Sequence, residues 1–406
     1  MQFDRYLQAA LRRGRSLGKA RMILGARQTG KSTLFRMLKS PKDILFDLQE
    51  RHERMRLARD PSLLTRALLA PGPARRHVLI DEVQRVPGLL DEIQLLLDRH
   101  PDRFTFTLTG SSARRLRGHD VNLLPGRVHR HRLSPVCLWE VAGTAAGTIL
   151  PAPFRFAPAR PAPRRALEDL LVLGSLPGAF SGGRAFRDTL ASYAEAYIEE
   201  EVLREMAARS LGAYDRFLEL AAVESGRVVN LTKISQASGI ALSTIRGFYG
   251  VLSDTLLGFT VPPYLGSGRD RIIKTPKTYL FDVGVRNAVA RLPLERGILA
   301  TEGGNLLEHW LACELEARIG YIGRTHRLSF WRTQEGVEVD FVLETPKEAI
   351  PIEVKYTETP RPTDARHVER FLDLHPDRAR RGFIVCRATR PLQLTERVLA
   401  IPWDEV

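Results

Sequence analysis

The stretch Gly25-Ala26-Arg27-Gln28-Thr29-Gly30-Lys31-Ser32-Thr33 constrains the fold more than any other part of the chain. An apolar run suited to a buried strand, Arg21-Met22-Ile23-Leu24, precedes it, and from Ser32 to Lys39 the residues Leu34, Phe35 and Leu38 fall at helical spacing. Strand, glycine loop and helix in that order make a phosphate-binding loop. The glycines let backbone N–H groups curl inward, and the helix N-terminus adds its partial positive charge. In such a loop the backbone from Gly25 to Thr33 cradles the phosphates of ATP, Lys31 reaches the β- and γ-phosphates, and the Ser32 hydroxyl ligates Mg2+. A glycine turn that merely joins a strand to a helix is the plainer alternative, and it leaves the Lys-Ser pair without a reason.

A second motif answers the first. His77-Val78-Leu79-Ile80-Asp81-Glu82 is an apolar strand closed by two acids. Asp81 is placed to hold the magnesium ion through its water shell, and Glu82, just past the strand, to orient and deprotonate the attacking water. One strand further on, Phe104 to Leu108 leads into Thr109-Gly110-Ser111-Ser112, where Thr109 and Ser111 are expected to reach the γ-phosphate or the water. Arg127, after Gly126, is the candidate for an arginine that completes the site of a neighbouring subunit. Strands alternating with helices through this region imply a parallel sheet with helices on both faces.

Together, Gly25 to Thr33, Val78 to Gln84, Thr109 to Ser112 and Gly126-Arg127 resemble the prokaryotic AAA+-type ATPases whose C-terminal half is a domain of unknown function, DUF4143. The likeness continues to about Lys355. It implies an ATP-hydrolysing, homo-oligomeric protein, a hexamer being one form.

At 406 residues the chain is long enough for two or three domains. Its hydrophobic share, 44%, is that of a soluble protein, and no apolar run approaches the length of a membrane helix, about 20 residues. Met1-Gln2-Phe3-Asp4-Arg5 has no signal-peptide core, and Cys137, Cys313 and Cys386 lie far apart. A cytoplasmic protein with no membrane partner is expected. The formal net charge of +14 favours DNA through counterion release, although an arginine-rich proteome alone also produces such a balance.

The expected division is an ATPase domain over 1–142, a linker over 143–163, a helical region over 164–225, a winged helix over 226–282 and a nuclease-like domain over 283–406. The linker carries Pro151, Pro153, Pro158, Pro161 and Pro163. In the winged helix, Leu231 to Ala237 and Ser243 to Leu256 read as two helices about a turn at Gly239, with Ser243 as N-cap. A basic hairpin tip follows, from Gly266 to Arg271. Arg246, Arg269 and Arg271 are the candidates for contact with DNA phosphates, unless the module serves only for packing.

The last third holds a second constellation. Strand alternation over Val337–Leu343 and Ile350–Tyr356 leaves Asp340, Glu353 and Lys355 on one surface of a hairpin. Glu308 lies on the apolar stripe of a helix with Leu311 and Leu315, so it needs a partner such as a lysine or a metal. Helix acid, strand Asp and Glu-x-Lys resemble the PD-(D/E)xK nuclease fold, especially its Holliday-junction-resolvase-like branch. The resemblance implies that Glu308, Asp340 and Glu353 hold magnesium while Lys355 steadies the nucleophilic water or the phosphate charge. An exposed Glu–Lys ion pair is the plainer reading of Glu353 and Lys355.

The expected fold class is therefore α/β: an N-terminal P-loop ATPase, a helical and winged-helix middle, and a C-terminal α/β nuclease-like domain. The expected function is ATP-driven remodelling or processing of DNA, branched DNA in particular. The alternative is an ATP-gated regulatory switch whose C-terminal domain is an inactive nuclease fold that binds partners.

Overall fold

Five strands build the N-terminal sheet: β1 (Ala20–Leu24), β2 (Ile44–Asp47), β3 (Arg76–Asp81), β4 (Phe104–Gly110) and β5 (Val128–Arg132). The computed structural model that shows them describes residues 3–13, 18–110, 127–142, 165–193, 211–266, 274–322 and 325–406. All five pair in parallel, in the order β2-β3-β4-β1-β5. β1, β3 and β4 are buried along their whole length, as strands covered on both faces must be, which is why they read as continuous rather than alternating apolar runs. The order matters for chemistry. β4 lies between β1 and β3, so one edge of the sheet carries the glycine loop, Thr109 and Asp81 side by side.

Among the described residues five helices accompany this region: α1 (Tyr6–Arg13), α2 (Lys31–Leu38), α3 (Arg51–Arg59), α4 (Ser62–Leu69) and α5 (Leu89–Arg99). Leu89, Leu90, Ile93, Leu96 and Leu97 of α5 are buried, as their spacing requires. Between Arg51 and Leu69 the chain forms two helices rather than one. Pro61 has no N–H to donate and drives the preceding Asp60 out of helical conformation, to φ −144°, ψ 88°, where its carboxylate accepts from Ser62 N at 3.1 Å.

Contacts divide the described residues into two compact units. One runs to Pro135 and takes in Gly250–Leu257; the other comprises Val136–Tyr249 and Gly258–Val406. In the second unit, Asn230 caps the helix Leu231–Ser238 by accepting from Lys233 N at 2.9 Å, and Gly239 closes it at φ +69°. The next helix starts at Leu242, so Ser243 lies in its first turn and is not the cap expected of it. β6 (Gly258–Val261) and β7 (Lys277–Leu280) form an antiparallel ribbon, and Arg269 and Arg271 of the expected hairpin tip lie outside the described residues.

A 24-residue helix, Leu299–Ile322, then leads into a six-stranded mixed sheet. Its strands are β8 (Arg327–Arg332), β9 (Glu338–Glu344), β10 (Ala349–Val354), β11 (Gly382–Cys386), β12 (Leu392–Gln393) and β13 (Val398–Pro402), in the order β12-β13-β11-β10-β9-β8. β10 is interior to this sheet and buried throughout, so the plainer reading of an exposed Glu–Lys face does not hold for Glu353, which is 5% exposed. The strand ends at Val354, and Lys355 follows it rather than belonging to it.

Candidate functional sites

At the top of β1 the chain passes close under the segment after β5. A Cβ on Gly25 would stand 2.5 Å from Leu133 O, so this position excludes any other residue. Gly30 begins α2 from the left-handed region at φ +94°. Between them, Gln28 also holds a positive φ, +61°, and Thr29 Oγ1 donates to Ala26 O at 2.8 Å. Ala26 and Thr29 are buried, Arg27 and Ser32 half-buried, and Gln28 and Thr33 exposed. Lys31 is buried, its ammonium donating to Gly25 O at 2.8 Å and Ala26 O at 2.9 Å. Arg5, which the sequence did not single out, braces the loop from α1's approach by donating to Thr29 O at 2.8 Å and Ser134 O at 2.6 Å.

The two acids are fixed from β4. Thr109, fully buried, donates its hydroxyl hydrogen to Asp81 and accepts from Glu82 N at 2.9 Å. Thr109 therefore holds the two acids in place. Glu82 stands just past β3 in a left-handed conformation, φ +59°, unusual for a residue with a side chain, and Gln84 Nε2 donates to its carboxylate at 2.5 Å. Gln49, which follows β2, donates to Asp81 Oδ2 at 2.8 Å and lies 3.4 Å from Ser32 Oγ. An amide donor bridging that hydroxyl and that carboxylate marks a place where a cation fits. Ser32 and Asp81 thus suit a magnesium ion. Ser111 lies outside the described residues.

Arg127 is placed differently. The register Ala20↔Val128 puts it at the start of β5, at the opposite edge of the sheet from its own glycine loop. Its guanidinium pairs with Asp98 at 2.6 Å. Arg127 cannot act on the nucleotide of its own chain.

The second constellation is brought together, with additions. The β9–β10 ladder ends at Ile352↔Phe341, and just beyond it Asp340 Oδ2 accepts from Val354 N at 2.8 Å. Glu353 Oε1 accepts from Lys355 Nζ at 2.8 Å, while its buried Oε2 has no hydrogen-bond partner. Glu308 is not free for a metal as expected. Its Oε1 accepts from Lys277 Nζ at 3.0 Å and from Tyr279 OH at 2.6 Å. Lys277 also pairs with Glu338 at 2.7 Å, and Glu338 with Arg332 at 3.2 Å. Burial, reinforced by the charges of Glu353 and then Glu308, pushes the Asp340 carboxyl well above the usual range. Burial likewise raises Glu353, against the pull of Lys355. For Lys277 burial works against the charge, but Glu308, Asp340 and Glu338 outweigh it and raise its pKa.

With the orphaned Glu353 Oε2 beside Asp340, these two carboxylates suit a divalent ion, and Glu308 is engaged elsewhere. No cluster of three or more His, Cys, Asp or Glu side chains is arranged to hold a metal among the described residues. Lys277 and Tyr279 went unnoticed in the sequence because they precede Glu308 by 31 and 29 residues. The available signal was a lysine opening a short, otherwise buried strand.

Of the residues expected to contact DNA, Arg246 is exposed on the helix Leu242–Asp254, while Arg269 and Arg271 are outside the described residues. Among the described residues no helix is long and apolar enough to cross a membrane.

Family models match three successive stretches. They are an AAA domain over residues 18–142, a domain of unknown function, DUF8612, over 164–296, and another, DUF4143, over 303–406. The DUF4143 match is thus confined to the last quarter of the chain. Two uncharacterized proteins, from Mycobacterium bovis and Mycobacterium tuberculosis, are each 27% identical over 409 residues, spanning 98% of this chain and 83% of theirs. Among solved structures, the Aeropyrum pernix Orc1 protein in complex with DNA aligns at 14% identity over 67% of this chain and 86% of that one, with a TM-score of 0.25. Cdc6p from Pyrobaculum aerophilum aligns at 12% identity over 70% and 93%, with a TM-score of 0.27. Overlaps that slight carry no argument.

Proposed function

We propose that this chain, an AAA-type ATPase with a C-terminal DUF4143 domain, couples ATP hydrolysis to the processing of DNA at a metal-dependent, nuclease-like site. The observation that carries the reading is Asp340 beside Glu353, buried, with Glu353 Oε2 unpartnered and Lys355 at its other oxygen.

At the first site, the loop amides bind the phosphates, and Lys31 exchanges the two backbone carbonyls for the β- and γ-phosphates. Ser32 and Asp81 would hold magnesium once Gln49 turns aside. When bound, that ion neutralises charge on the transferred phosphoryl group. Glu82 takes the proton of the attacking water, and Thr109 keeps Glu82 and Asp81 in fixed relation. Arg127, being unable to reach its own nucleotide, serves the site of a neighbouring copy in a homo-oligomer, where it meets charge on the transferred group. At the second site, Asp340 and Glu353 would hold magnesium, and Lys355 orients a water or a phosphate oxygen. The +14 net charge and the exposed Arg246 favour a DNA backbone as the substrate, and the resemblance to junction resolvases suggests a branched one.

A second reading, an ATP-gated switch whose C-terminal sheet binds partners without cleaving, is favoured by one observation: Glu308 is already occupied by Lys277 and Tyr279. One experiment separates the two. The full chain is given branched and linear DNA with magnesium or manganese, and cleavage and ATP turnover are followed together. Cleavage should fall to background in Asp340→Asn with turnover preserved within about twofold. Intact wild-type protein that hydrolyses ATP at a rate indifferent to DNA, and cuts nothing, hands the function to the switch.

A further inference from the structure

Around Asp340 the structure gathers more charge than a two-carboxylate metal site requires. Glu308 comes from the helix Leu299–Ile322, Glu338 and Asp340 from β9, and Glu353 from β10. Lys355 sits at the outer end, one-third exposed. At the inner end stands Lys277, 2% exposed, between Glu308 at 3.0 Å and Glu338 at 2.7 Å, with the Phe330 ring 5.4 Å away. Asp340 is close enough to feel both Lys277 and Glu308. The lysine is anchored by its strand: β7 pairs with β6, and Lys277 also bridges Val228. Its ammonium has little room to withdraw.

We propose that Lys277 is the resident cation of the acidic site, a positioning residue that holds Glu308 and Glu338 out of metal coordination and limits the site to one weakly held divalent ion at Asp340 and Glu353. This rests on the reading of that pair as a metal site. A fixed positive charge within reach of the carboxylates does two things. It satisfies acids that would otherwise recruit a second ion, and it repels the first.

The test is manganese binding to the full chain, read by the loss of the free-ion paramagnetic resonance signal and without reference to turnover. Lys277→Met should bind manganese at least about tenfold more tightly than wild type, because a buried like charge has gone. Asp340→Asn should abolish that binding in both backgrounds. Affinity unchanged or weakened in Lys277→Met, with the Asp340→Asn loss intact, overturns the proposal and leaves the metal site standing. No manganese bound at this site in any variant ends the metal reading itself. If Lys277→Met does not fold alone, its thermal unfolding is followed across a manganese titration. Recovery of the folded state with the ion supports the proposal, and a chain that stays unfolded at saturating ion overturns it.

Discussion

Above the N-terminal sheet the buried ammonium of Lys31 rests on two backbone carbonyls, whereas at the end of the β6–β7 ribbon that of Lys277 rests on two carboxylates. Both lysines are buried, yet these partners differ in kind. Neutral dipoles give up a cation readily once a phosphate arrives. Carboxylates do not, because breaking a buried ion pair leaves uncompensated charge, at a cost of about 3–5 kcal/mol. Lys31 is therefore a group waiting for a ligand, and Lys277 is part of the framework. Burial alone does not mark a lysine as catalytic; what holds it when the ligand is away does.

The largest expected effect tests the first half of that contrast. Lys31→Ala should lose nucleotide binding beyond detection by a fluorescent ATP analogue, while the thermal midpoint and the manganese affinity of the second site stay as in wild type. A large fall in the midpoint would put Lys31 in the framework too and erase the contrast. Next comes Arg127→Ala, expected to slow hydrolysis by about 10³-fold. Mixing it with Lys31→Ala subunits should restore part of the rate, since each mutant keeps the half-site the other lacks. A monomer with full activity by light scattering and turnover breaks the proposal that Arg127 acts on a neighbour.

The smallest effect concerns pH. His309, one residue from Glu308, donates its Nε2–H to Leu280 O, 2.8 Å away, and burial pushes its imidazole down to about 3. A histidine depressed in the folded state takes its proton more easily when unfolded, near pH 6.5. Stability is thus full above about 6.5 and is lost as pH falls from there towards 3. Urea midpoints measured from pH 7.5 to 4.5 should decline, and His309→Gln should flatten the decline. An equal slope in the variant removes His309 as its source.

The glycine loop and the Asp-Glu pair were legible because their determinants are contiguous: Gly25 to Thr33 and Val78 to Glu82 each fold onto themselves. The hairpin of Asp340 and Glu353 was legible through strand alternation, which survives without knowledge of the rest of the sheet. What escaped lay across the fold. Gln49 follows a different strand from the Ser32 and Asp81 it bridges, and Arg5 reaches the loop from the far side of β1 in sequence. Thr109 was found but its bonds to Asp81 and Glu82 were not, because periodicity gives its strand and not whether its hydroxyl is already engaged. The short strands β12 and β13 went unread, since Leu392–Gln393 offers no pattern and Pro402 closes the other.

The Lys277 ion pairs also bear on inheritance. They join a strand inside the 164–296 match to a helix and a strand inside the 303–406 match. A chain spliced between those two matches would keep Glu308, Glu338, Asp340 and Glu353 and lose the ammonium that balances them. Such a hybrid must find another cation or abandon the acids. The two stretches, distinct as sequence families, are obliged to travel as one heritable piece.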